Sequence, residues 1–290
     1  MAGIAGWVDF DRDLTRDRRI VMSQLGAVAL RGPDEEGLWA DTHAVLGHRR
    51  RAVLDPGGSR QPMAAVEDGQ PAAVVSFDGE IANFAELREE LSSRGHRFRH
   101  RGDTEVLLLA YLEWGDQCPR HLDGMFAFAV WDVRRQHLLL VRDRLGAKPL
   151  FYYLTANGVV FGSEPKAVMA HPLVDAVVDA VVDADGLREL LAFTSTPGHG
   201  VFRGLQRVRP GATVTVDRSG CAERAYWTLE AAPHTDDERK TVQTVRETAF
   251  SFFPSENFRP GSGCLTRRKT FTPKDRRRPE PPSLRGTIPA

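Results

Sequence analysis

Three apolar runs, at residues 125–131, 137–142 and 150–153, follow one another with short polar breaks between them. This is the rhythm of an antiparallel sheet, and it constrains the fold more than any other feature of the chain. Residues 4–8 read as a further short buried strand, and the continuous apolar run at 72–77 delivers Asp78, Gly79 and Glu80 at its C-terminal end. Thr15 is placed to cap a helix running through Ala29, with Ile20, Leu25 and Val28 as its apolar stripe. A helix after Asn83 is expected to bury Phe84, Leu87 and Leu91 before Gly95 stops it, and a second carries Val106, Leu109, Tyr111 and Leu112 at near-helical spacing. Residues 185–193 also look helical. Residues 213–216 read as a strand entering a hairpin at Asp217-Arg218-Ser219-Gly220.

Composition narrows the class of protein. A chain of 290 residues has room for one large domain or two small ones. No apolar run approaches the roughly 20 residues of a membrane span. The apolar start at residues 3–8 is too short for a secretory signal, lacks a basic n-region and runs into Asp9, Asp11 and Arg12. A cytoplasmic protein with no membrane partner is expected. Three cysteines, Cys118, Cys221 and Cys264, form neither a metal-ligand spacing nor a disulfide framework, so no metal site is expected. The 39 basic and 39 acidic residues cancel unevenly. Residues 238–290 hold twelve Lys and Arg against five Asp and Glu, a net of +7, which leaves residues 1–237 with −7. From about Thr248 the chain turns to Arg, Pro, Ser and Thr without a periodic apolar face, so 248–290 reads as a disordered basic tail. Such a tail can bind nucleic acid or anionic membranes. It lacks the aromatic interleaving or recognition fold that gives such binding a purpose, so no specific nucleic-acid partner is expected.

Six ordered blocks carry the chemistry. They are Met1-Ala2-Gly3-Ile4-Ala5-Gly6-Trp7-Val8, Arg31-Gly32-Pro33-Asp34, Gly47-His48-Arg49-Arg50, Asp78-Gly79-Glu80-Ile81-Ala82-Asn83, Gly102-Asp103-Thr104-Glu105-Val106 and Gly124-Met125-Phe126-Ala127-Phe128-Ala129. Singly each has an ordinary reading: Arg50 belongs to a basic run, and Asp103 could cap the helix that Thr104 begins. Together, in this order, they resemble the class II (Ntn-type) glutamine amidotransferases. Arg142-Asp143-Arg144-Leu145-Gly146-Ala147-Lys148-Pro149-Leu150 and Phe161-Gly162-Ser163-Glu164-Pro165-Lys166-Ala167 narrow the resemblance to the glutaminase half of glutamine-hydrolysing asparagine synthetases. The likeness runs from Met1 to about Glu247.

The resemblance implies an α+β fold, a four-layer αββα sandwich of two antiparallel sheets. It also implies L-glutamine as the ligand. In the family the initiator Met is removed, and the new N-terminal residue supplies a thiol nucleophile and an α-amino base, with an unperturbed pKa of about 7.7–8.0. Here that residue is Ala2, whose methyl group cannot form the thioester that divides amide hydrolysis into two easier steps. Loss of a catalytic nucleophile in hydrolases leaves a residual of roughly 10³–10⁴ over water, so negligible glutaminase turnover is expected. Arg50 matches the Arg that grips the glutamine α-carboxylate, and Glu80 and Asp103 match the acids that take the α-ammonium. Gly79 stands where a backbone N–H faces the developing oxyanion. Asp78 occupies a position where the family often has Asn, an oxyanion donor that a carboxylate cannot replace. Arg51 stands where Leu is usual, in the strand behind the pocket. None of the cysteines is expected to replace the missing nucleophile: Cys118 precedes Pro119 near a helix end, Cys221 sits in a hairpin turn and Cys264 lies in the tail.

The organisation that follows is a glutamine amidotransferase domain over 1–230, the start of a linker at 231–247, and the tail. A synthetase domain should come next, and ATP and Mg would belong to it, so no cofactor is expected in this chain. No Gly-rich ATP loop occurs, and Gly261-Ser262-Gly263 is too short and isolated to stand in for one. The likeness stops inside a helix expected around Val242, Val245, Arg246 and Glu247, for which a shifted reading frame is the preferred explanation. Two alternatives to a silent glutaminase domain follow. One is a binding module that holds glutamine as a sensor, or as a subunit joined by a separate synthetase subunit or a second copy of itself. The other is an amidotransferase using water activated by the Ala2 amine, or acid chemistry at Asp78.

Overall fold

A computed structural model describes residues 2–51, 60–67, 69–174, 182–192, 198, 200–230 and 235–251. The tail from 252 onward, with Gly261-Ser262-Gly263 and Cys264, lies outside them, as does Phe193 of the expected helix. Residues 1–232 and 233–290 are two compact units.

In the first unit the strands are β1 (Gly3–Asp9), β2 (Glu35–Ala40), β3 (Ala44–Arg50), β4 (Met63–Glu67), β5 (Gln70–Ile81), β6 (Gly124–Asp132), β7 (His137–Arg142), β8 (Phe151–Thr155), β9 (Gly158–Gly162), β10 (Gln206–Arg207), β11 (Ala212–Asp217) and β12 (Gly220–Ala225). They form two six-stranded sheets, ordered β10-β8-β9-β1-β3-β2 and β12-β11-β7-β6-β5-β4. Every pairing is antiparallel. The period of two along each strand divides its side chains between two cores. Ile4, Val8, Leu46, Val74, Ala127, Ala129, Trp131, Leu138 and Phe161 fill the space between the sheets. Trp7, Val45 and Val160 face outward and are covered by Val21 of α1 (Arg18–Ala27) and Val168 of the helix Pro165–Met169. On the other sheet Val75, Phe77, Phe128 and Val130 meet Leu87 and Leu91 of α2 (Phe84–Ser93) and Val106, Leu107 and Tyr111 of α3 (Asp103–Trp114). The result is the four-layer αββα sandwich that the resemblance implies. The helix Pro165–Met169 is α4, and α5 (Ala184–Leu191) follows it.

The second unit contributes α6 (Glu238–Ser251), started by Asp237, whose carboxylate accepts from the Lys240 N–H at 2.7 Å. No described helix is long and apolar enough to cross a membrane.

Four local expectations differ from the structure. Asp13, not Thr15, is the N-terminal cap: its carboxylate accepts from Thr15 N at 3.0 Å and starts a 3-10 turn, and α1 begins only at Arg18. Phe84, at the first position of α2, is exposed, and Leu87 and Leu91 carry the packing. On α3 the fully buried residues include Leu107 and Leu108, while Leu109 and Leu112 are only partly buried, because this helix is apolar on nearly every side. Cys221 lies in β12 opposite Val216, not in the turn.

Candidate functional site

The strand period that fills the core also builds the site. On β5, Val74, Ser76 and Asp78 point between the sheets, and on β3 Leu46, His48 and Arg50 do the same. Two bonds cross the gap, from Ser76 Oγ to the Gly47 carbonyl at 3.0 Å and between His48 Nε2 and the Phe77 carbonyl at 3.0 Å. A carbonyl can only accept, so Nε2 carries the His48 proton. Burial pushes the pKa of this imidazole down to about 4.

At the end of that gap lies Ala2, one step before the Gly3↔Arg49 pair and therefore alongside Arg50. Its backbone nitrogen donates to Asp78 Oδ1 at 2.8 Å. Arg31 closes the arrangement: Nε donates to the Ala2 carbonyl at 2.7 Å, Nη2 to Asp78 Oδ2 at 2.6 Å and Nη1 to Glu164 Oε1 at 3.2 Å. The Asp78 side chain is 1% exposed and that of Arg31 11%, so this is a nearly dry ion pair that fixes both ends of residue 2. Asp78 thus acts as an acceptor and anchor.

The other expected residues fall around this centre. Gly79 sits in β5 where an added Cβ would stand 2.2 Å from the Met125 carbonyl, a clash no side chain escapes. Glu80 is exposed on the next position. Asp103 is the first residue of α3, with Gly102 at the cap position, and its carboxylate reaches β5 to accept from Ile81 N at 3.2 Å. Burial raises its pKa, and the nearby Glu80 charge adds to the rise. Arg50 Nη1 donates to Glu35 Oε2 at 3.2 Å across the β2–β3 pair. Arg51, expected in the strand behind the pocket, lies just past the end of β3 and is exposed, so it imposes no buried charge. Cys118 is buried and its thiol is pushed up by that burial, away from the thiolate form.

Three further residues at the centre were not assigned roles from sequence. Arg31 and Glu164 lie in quoted blocks, but neither block says what its charge meets. Lys148 arrives by a loop built for the purpose. Asp143 Oδ1 accepts from Leu145 N and Ala147 N at 3.1 and 2.9 Å, Asp143 Oδ2 from Lys148 N at 2.9 Å, and Arg142 Nε donates to the Lys148 carbonyl at 2.7 Å. The Lys148 ammonium then stands 3.7 Å from Asp78 Oδ1. A polar side chain inside an otherwise apolar strand was the available signal for His48, Ser76 and Asp78, whereas Arg31, Glu164 and Lys148 lie in a turn, at a helix cap and in a loop, where no such signal exists.

A family model described as a glutamine amidotransferase domain matches residues 1–227. Asparagine synthetase [glutamine-hydrolyzing] 3 of Bacillus subtilis is 42% identical over 248 residues, covering 85% of this chain and 40% of that protein. A putative asparagine synthetase [glutamine-hydrolyzing] of Mycobacterium tuberculosis is 35% identical over 223 residues, covering 71% of this chain and 33% of that protein. The chain thus spans about two fifths or less of the length of these relatives. Among solved structures, the glutamine phosphoribosylpyrophosphate amidotransferase of B. subtilis matches with a TM-score of 0.56 at 15% identity, over 79% of this chain and 50% of that one, a likeness of fold. With the two facing sheets and residue 2 held between them, these matches place the chain in the glutamine amidotransferase domain family, of the class II type found in asparagine synthetases.

Proposed function

We propose that this chain binds L-glutamine in its amidotransferase site and does not cleave it. The observation that carries the reading is the occupant of the centre: residue 2 is held by Asp78 and Arg31 between the sheets, and its side chain is a methyl group. A methyl offers no lone pair for attack on the amide carbon. Arg50 is the group for the α-carboxylate, a planar fork suited to bidentate contact. Glu80 and Asp103 are the acids for the α-ammonium, and the Gly79 region faces the side-chain amide. Asp78 adds no hydrogen-bond donor for an oxyanion, because its carboxylate already accepts from Ala2 and Arg31. Any ATP-dependent use of ammonia belongs to a separate synthetase segment or subunit.

Calorimetry with glutamine at millimolar concentration, paired with an ammonia-release assay on the same preparation, tests this. Binding with turnover far below about 1 s⁻¹, the low end of ordinary enzyme rates, is the expected result. Failure to bind, or turnover in the ordinary range, contradicts it.

A further inference from the structure

The peptide of Phe77, next to Asp78, is held from both ends by side chains. His48 Nε2 donates to its carbonyl at 3.0 Å, and its N–H donates to Gln61 Oε1 at 2.7 Å. The β4–β5 ladder ends at the Met63↔Val75 pair, so beyond it the Gln61 amide supplies the acceptor that a neighbouring strand would have given. The other end of the same amide, Nε2, donates to Thr104 Oγ1 at 3.3 Å in the first turn of α3. A side-chain amide carries an acceptor and two donors, so one residue can join a strand N–H to a helix hydroxyl.

The backbone of residue 61 meets the other sheet. A Cβ added at Gly37 of β2 would stand 1.9 Å from the Gln61 carbonyl oxygen. Arg60 Nε lies 3.2 Å from Glu35 Oε1, and the second oxygen of that carboxylate takes Arg50 Nη1 at 3.2 Å. Residues 60 and 61 thus stand on β2 beside the Glu35–Arg50 pair, while the Gln61 side chain reaches β5 and α3. Asp103, the neighbour of Thr104, is tied to β5 separately by its bond from Ile81 N at 3.2 Å. The start of α3 is therefore fixed to β5 twice, once by Asp103 itself and once through Gln61.

We infer that Gln61 is a positioning residue, a strut that sets the separation between Arg50 on the first sheet and Asp103 on α3. This rests on the proposed binding of glutamine and adds the residue that spaces the groups for its α-carboxylate and α-ammonium. In this role Gln61 touches no ligand. It acts on Asp103 through Thr104 and on Arg50 through β2, and supporting residues of this kind decide how precisely the contacting groups are placed.

Gln61→Met keeps an unbranched side chain and removes both bonds, and two measurements on the full chain test its effect. Amide hydrogen exchange without ligand reports whether Asp103 stays in place: the Ile81 N–H is expected to exchange about tenfold faster or more, with the amides of β7 unchanged. Calorimetry with L-glutamine is expected to give a Kd raised about tenfold, the scale of one hydrogen bond to a charged group. Thr104→Val, which removes only the hydroxyl, is expected to shift both readings about threefold or more, and Thr104→Ser, which keeps it, to stay within about twofold of the unaltered chain. The Thr104 pair carries the same test if Gln61→Met does not fold. A lower urea midpoint with Ile81 exchange and glutamine Kd both unchanged overturns the inference, because Gln61 then serves the fold alone. Faster Ile81 exchange with an unchanged Kd overturns it as well and leaves glutamine binding standing. Absence of glutamine binding by the unaltered chain overturns the proposed function and, with it, the part given to Gln61.

Discussion

At the scale of single residues, Asp78 has the widest reach, because one buried carboxylate holds the nitrogen of residue 2 and the guanidinium that holds its carbonyl. Removing one partner of a buried pair leaves the other charged and dry, typically at a cost of about 3–5 kcal/mol. Arg31 keeps Glu164 at 3.2 Å in the variant, so Asp78→Ala should fall near the lower end, about 3 kcal/mol, measured by urea unfolding. His48 sets an acid limit. It is 1% exposed with a pKa of about 4, so between the ordinary histidine value of 6.5 and 4 the unfolded chain binds a proton that the folded one refuses. Its contribution is present above pH 6.5 and is lost as pH falls towards 4, at about 3 kcal/mol over that window. His48→Gln, which keeps a donor for the Phe77 carbonyl, should flatten the pH dependence of unfolding there. Asp103 gives the matching prediction for binding. Its raised pKa means that the carboxylate proposed for the α-ammonium is lost on acidification earlier than an ordinary aspartate would be, so glutamine affinity measured by calorimetry should begin to fall at a pH above the ordinary aspartate value.

Elements explain why those residues meet. β1 and β3 run antiparallel and bring Ala2 beside Arg50, while β5 crosses on the facing sheet with Asp78 at its inner surface. Gly79 marks the close approach of β5 to β6, and Gly79→Ala must displace the Met125 carbonyl. Overpacking of this kind costs about 1–3 kcal/mol, which a thermal melt would record, together with a displaced N–H at the ligand site. Much of this was legible in advance: the apolar run ending in Asp78-Gly79-Glu80 became β5, and the three runs after Met125 became β6, β7 and β8. The short strand β4 and the β8–β9 hairpin partner β9 carried weaker signals, since their pairing depends on partners distant in sequence. Arg31, Lys148 and Glu164 were legible only as members of motifs. Their convergence on residue 2 depends on which strands face each other, which no local pattern encodes. Arg51 shows the converse, since its placement in the strand failed where β3 ends one residue earlier.

On the scale of the whole first unit, two sheets of six strands clamp the start of the chain between them, with helices over both outer faces. That frame does not depend on what side chain residue 2 carries. Ala2 is held through its backbone, its nitrogen by Asp78 and its carbonyl by Arg31, and a thiol adds one atom to its side chain. On the proposed reading, the loss of chemistry comes down to one missing sulfur atom. Ammonia release from glutamine by the native chain and by Ala2→Cys, with removal of Met1 checked by mass spectrometry, tests that claim most directly. A silent native chain and a Cys variant faster by about 10³-fold or more is the predicted result. Turnover by the native chain, or silence of both with Met1 removed, would contradict it.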